Sequence, residues 1–115
     1  MLDIALPVLD EKVTKKNVLA ALHKYRIYLK NDNGDRDRNI YIEKMDKALN
    51  KLENEYDKKI IRKYMSKNKV NRFELMRELC VSEGDYYRKR NQAFYSYAYA
   101  LGIEVTMVWN SFFMI

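Results

Sequence analysis

The chain has 115 residues, a formal charge of +6 and an isoelectric point near 9.3, which suits one domain with a modest core. Three glycines and one proline leave too little punctuation for a many-turned β architecture. No apolar run reaches the length of a membrane span, MLDIALPVLDEK lacks the basic segment of a secretory signal, and a single cysteine cannot close an internal disulfide, so a reducing cytoplasm is the expected setting.

Residues 1–13 read as a loosely structured arm, because Pro7 discourages an early helix. Thr14 is placed to cap a helix over residues 14–30, in which Val18, Leu22, Tyr25 and Leu29 recur at helical spacing and Leu19 and Ala21 widen the stripe. The polar run at residues 31–39 is a connector. Helical character then continues over residues 40–102. Tyr41, Met45, Ala48, Leu49 and Leu52 mark a second helix; Tyr56, Ile60, Ile61, Tyr64 and Met65 mark a third, ended by the polar run from Ser66.

The segment 72–100 is the most informative. Asn71 can cap a short helix with Phe73, Met76 and Leu79 on its inner side, and Cys80, Val81 and Ser82 form a turn. Ser82 and Asp85 make a capping pair, which starts the last long helix at Glu83. Its expected inner face is Tyr86, Ala93, Tyr97 and Leu101, and Gly102 stops it. Short helix, tight turn and long helix are the signature of a helix-turn-helix, whose second helix lies in a DNA major groove. Residues 103–115 form an apolar tail, with Val105, Val108, Trp109, Phe112, Phe113 and Ile115. The tail is expected to pack on the first helix or to make a homodimer. The expectation is an all-α single domain of about five helices.

Charge points the same way. Residues 58–72 carry seven lysines and arginines and no acid, and Arg88, Lys89 and Arg90 follow on the long helix. Positive charge localised beside a helix-turn-helix suggests phosphate contacts, although a solvated lysine face gives the same pattern. Catalysis has little to rest on. His23 stands alone with no ligand cluster around it, and Cys80 is expected to plug the angle between two helices as a core residue. No metal or cofactor is expected. The ten tyrosines can stack on bases, but at helical spacing most should pack with the hydroxyl at the rim.

On a helix beginning at Glu83, the side opposite Tyr86 and Ala93 offers Glu83, Gly84, Tyr87 and Arg88 as base-reading residues. Arg88 can contact guanine in bidentate fashion and Tyr87 can press on a thymine methyl. Arg62, Lys63, Lys67, Lys69, Arg72, Lys89 and Arg90 would hold phosphates and set register.

The runs YIEKMDKALNKLENEYDKKIIRKYM and FELMRELCVSEGDYYRKRNQAFYSYAYALGIEV resemble the ArpU (autolysin regulatory protein) family of phage-type transcriptional regulators. The shared features are "ALNKL", a helix ending II-R-x-Y-M, "L-x-V-S" before a "YYR" helix, and a closing "ALGIEV"; the likeness runs from about Thr14 to Val105. It implies a C-terminal half similar to region 4 of bacterial sigma factors, and control of phage or prophage genes, late genes above all, in a bacterial host cytoplasm. It matches Ser82 to the recognition-helix cap, Glu83, Gly84, Tyr87 and Arg88 to DNA-facing positions, and Tyr86 and Ala93 to buried ones. Lys89 departs from the pattern, because such helices usually turn an apolar residue inward there. Glu83 and Asp85 place two acids where phosphates would approach.

The expected partner is double-stranded DNA, read by a regulator that is not an enzyme. Two other readings stay open. A sigma-like module could dock on RNA polymerase with little DNA specificity, or a phage structural or packaging protein could bind DNA without sequence preference.

Overall fold

A computed structural model describes residues 7–66 and 69–108. In chain order the elements are β1 (Pro7–Leu9), α1 (Glu11–Lys30), α2 (Arg36–Lys51), α3 (Glu55–Met65), α4 (Arg72–Leu79), α5 (Glu83–Leu101) and β2 (Thr106–Val108). The fold is therefore all-α, with five helices and one two-stranded sheet among the described residues. Lys67, and Trp109, Phe112, Phe113 and Ile115 of the apolar tail, lie outside them.

Helix α5 is the centre of the molecule, packed against α1, α2 and α3. Its small residues Ala93 and Ala98 let neighbouring backbones approach, while Tyr86, Phe94, Tyr97 and Leu101 fill the space between them. Val18, Leu22 and Tyr25 arrive from α1, Met45 and Ala48 from α2, Ile60, Ile61 and Met65 from α3, and Leu75 and Leu79 from α4. Each large apolar side chain so buried contributes about 1.5–3 kcal/mol relative to exposure.

Tyrosine hydroxyls are accommodated by hydrogen bonds to neighbouring elements. Tyr97 Oη donates to the Met45 carbonyl at 2.9 Å, Tyr25 Oη to Asp46 Oδ1 at 2.8 Å, and Tyr41 Oη to the Ala21 carbonyl at 2.7 Å. The tyrosine abundance thus serves the core in large part, since burial without these partners would carry a desolvation cost.

Three boundaries differ from the sequence reading. Helix α1 starts at Glu11, capped by Asp10, whose side chain accepts from Val13 N. Thr14 is inside the helix and fully buried; its hydroxyl donates to Val105 O at 3.2 Å and accepts from Val105 N at 3.0 Å. Residues 7–9 are not loose either, because they pair antiparallel with β2 in the register Pro7↔Val108, Val8↔Met107, Leu9↔Thr106. Residues 103–108 accordingly lie back on the start of α1, with Asn17 Nδ2 donating to Ile103 O at 3.3 Å. Helix α2 begins at Arg36, capped by Asp35, so the connector is shorter than residues 31–39. Arg38 closes it by donating from Nε to the Tyr28 carbonyl at the end of α1, 2.7 Å away.

Candidate nucleic-acid interface

The unit α4–turn–α5 is fixed by its caps. Asn71 Oδ1 accepts from Phe73 N and Glu74 N at 3.0 and 3.2 Å, which starts α4. Cys80 ends it in the left-handed region, φ 54° and ψ 46°. The Cys80 amide donates to Arg77 O at 3.2 Å and the Val81 amide to Met76 O at 3.1 Å, satisfying the last carbonyls. Ser82 then caps α5, its Oγ accepting from Asp85 N at 3.3 Å. The turn and both flanking caps are those the sequence predicts.

Two side-chain expectations fail here. Cys80 is exposed, because a left-handed residue at the outside of the turn carries its Cβ away from the core. The inner face of α4 is Leu75 and Leu79, with Met76 half-buried, while Phe73 is 57% exposed. In a two-turn helix only the i, i+4 pair reaches the interior, and Phe73 lies off that line.

The first two turns of α5 present Glu83, Gly84 and Arg88 as exposed residues. A Cβ added at Gly84 would meet no heavy atom within 4 Å, and its backbone is ordinary helix. Glycine there is not required by packing or by conformation, and it costs helix stability relative to alanine. Arg88 is 71% exposed and pairs with Asp85, one turn before it. Tyr87 is half-buried and more committed than expected. Its hydroxyl accepts from Arg72 Nη1, and the Arg90 guanidinium lies over its ring at 5.0 Å from the centroid. Arg72 also lies 4.8 Å from the Phe73 centroid, and Arg90 5.6 Å from that of Phe94. The result is a ladder of alternating guanidinium and aromatic groups, Phe73, Arg72, Tyr87, Arg90 and Phe94, along the side of the unit.

The other basic positions are dispersed. Arg62 is exposed on α3, and Lys69 is exposed before α4. Lys63 pairs with Glu78 at 3.1 Å, and Arg72 with Glu83 at 3.9 Å. Lys89 stands over the Tyr56 ring of α3 at 4.1 Å from its centroid, so its stem covers apolar surface where an apolar residue was expected. Beside it, burial raises the Asp57 carboxyl above its usual value, opposed by a hydrogen bond to Ser96 and by the Lys89 charge. Sequence reasoning missed Phe73 as a surface residue and missed that Glu78, Glu83 and Asp85 answer three of the basic residues; the Asp85/Arg88 spacing of i, i+3 was the available signal.

Among the described residues no cluster of His, Cys, Asp and Glu could hold a metal ion, and no helix is long and apolar enough to cross a membrane. The chain matches no family model, no curated protein and no solved structure.

Proposed function

We propose that the protein is a phage- or prophage-type transcriptional regulator that binds duplex DNA through α4 and α5 and acts on late genes in a bacterial cytoplasm. The observation that carries this reading is the capped turn from Cys80 to Ser82, followed by two helix turns on which Glu83, Gly84 and Arg88 are exposed. A helix held at its N-terminus in this way can enter a major groove with its first side chains on base edges. Gly84 supports it, because a residue that the fold does not need as glycine leaves room for close approach of a partner.

The ladder gives Tyr87, Arg72 and Arg90 a positioning role beside the reading turn. Arg88 reads a base after exchanging Asp85 for an acceptor on guanine. Lys69, Arg62 and Lys63 hold the backbone. Contact with about five phosphates gives a slope of log affinity on log salt of roughly −4 to −5.

Enrichment of a randomised duplex pool on the protein, then titration of the winner against scrambled duplex at two salt concentrations, tests the reading. The expected result is a preference of about a thousandfold, lost in Arg88→Ala. Equal, steeply salt-dependent binding to both duplexes would instead favour a packaging protein.

One observation favours a second reading, docking on RNA polymerase. Phe73, Met76, Arg77, Cys80 and Val81 line a shallow apolar depression on the outside of the turn. Phe73→Ser would then abolish promoter activity while leaving DNA affinity unchanged.

A further inference from the structure

Helix α1 carries a feature that the reading of α4 and α5 leaves unused. His23, Arg26, Ile27 and Lys30 follow one another at i, i+3, i+4 and i+7, so they form a stripe on its outer side. The stripe borders a cleft of about 440 Å³, closed on the far side by Tyr64 at the end of α3 and by Lys69 and Val70 before α4. Among the described residues no carboxylate lines it. Among the described residues neither Lys30 nor Lys69 has an acidic partner. Arg26 is different, because Nη1 donates to the Tyr64 carbonyl at 2.7 Å. That bond fixes the guanidinium against α3 and leaves its other N–H groups for an anion. Ile27 and Val70 supply apolar walls, which strengthen any charge pairing made between them.

The cleft is continuous with the proposed DNA surface. Lys69 and Val70 line both this cleft and the neighbouring depression, which holds Lys63 and Asn71 and one carboxylate, Glu74, on the first turn of α4. In helix-turn-helix proteins the first helix of the unit crosses the DNA backbone. On the duplex-binding reading, a strand leaving α4 at its N-terminus would meet Lys69 and then the α1 stripe.

We propose that this cleft binds a backbone phosphate of the duplex outside the segment read by α5, through Arg26, Lys30 and Lys69. The inference rests on the duplex-binding reading and adds a second contact region, in the N-terminal helix. It assigns α1 a part in affinity and none in base choice.

The test is fluorescence anisotropy with the full chain and the enriched duplex, comparing wild type, Lys30→Ala, Arg26→Gln and the double variant across a salt series. Gln at position 26 keeps a donor for the Tyr64 carbonyl, and Lys30 is exposed, so Lys30→Ala alone keeps the test sound if the other variant unfolds. Loss of that one phosphate contact in the double variant should make the log–log salt slope shallower by about 0.9 and weaken binding to every duplex about tenfold, with Lys30→Ala falling between it and wild type. Preference for enriched over scrambled duplex should stay unchanged, the reverse of Arg88→Ala. Selective binding by wild type with unchanged slope and affinity in Lys30→Ala and the double variant overturns the cleft alone. A variant that loses preference at constant slope also overturns it. Failure of wild type to bind any duplex overturns both readings.

Discussion

Thr14 joins two segments that are distant in the chain with one hydroxyl, which both gives and receives a hydrogen bond at Val105, 91 positions later. Thr14→Val keeps the shape of the side chain and strands the Val105 amide, while the Val105 carbonyl keeps the bond it accepts from Asp10 N at 2.7 Å. It should cost about 1–3 kcal/mol in urea unfolding and speed hydrogen exchange at the Val105 amide. An unchanged midpoint would show that water replaces the hydroxyl. The sequence alone suggests a different role for Thr14, since a threonine ahead of an apolar periodic stretch is what a helix cap looks like. Nothing local marks a partner so far away. The exposed face at the start of α5 is easier to read, because Glu83, Gly84 and Arg88 follow from one helix start and its 3.6-residue period. The surroundings of Tyr87 are not legible in the same way, because its ring is engaged by Arg72 and Arg90, one of which comes from another helix.

At the level of elements, α5 was legible at both ends because its boundaries are local chemistry, the Ser82 cap and the left-handed Gly102 at φ 74°. Helix α2 was read as starting too late because Arg36 and Asp37 are exposed, and a charged exposed turn resembles a loop. The pairing of β1 with β2 was not readable, as each strand has three residues and neither is flanked by a hairpin turn. The end of α4 offers a quantitative check. Cys80 adopts a left-handed conformation, which costs a residue with a Cβ about 1–2 kcal/mol. Its side chain is exposed, so little packing opposes a change. Cys80→Gly should stabilise the protein by about 1 kcal/mol and raise the melting temperature, measured in reducing buffer, by about 4 °C. A fall in melting temperature would mean that the thiol holds the turn by contacts other than its 3.6 Å approach to Arg77 O.

On the scale of the whole molecule, the tyrosine network makes stability depend on alkaline pH. Burial, assisted by neighbouring Asp46 and Tyr64, raises the Tyr25, Tyr86 and Tyr97 hydroxyls well above their ordinary value of 10.0. The folded state therefore keeps protons that the unfolded chain gives up near that pH. Their stabilising contribution is complete below pH 10 and is lost progressively as pH rises above it. Urea midpoints should hold level to about pH 10 and fall above it, and the fall should be shallower in Tyr97→Phe, which is itself weakened by loss of the bond to Met45. A flat profile would place these hydroxyls in contact with solvent. The basic surface was visible in composition, yet its division into residues with an acidic partner (Lys63, Arg72, Arg88) and residues with none among the described residues (Lys30, Lys69) required the fold.

The central position of α5 bears on how the chain comes off the ribosome. Helices α1, α2 and α3 are synthesised before the element against which all three pack. Their apolar faces remain without that partner until residue 101 has emerged, so the core closes in one late step rather than piece by piece. A nascent fragment stopped before α5 carries most of the lysines without the central helix that arranges them, and its uncovered apolar faces favour aggregation over folding.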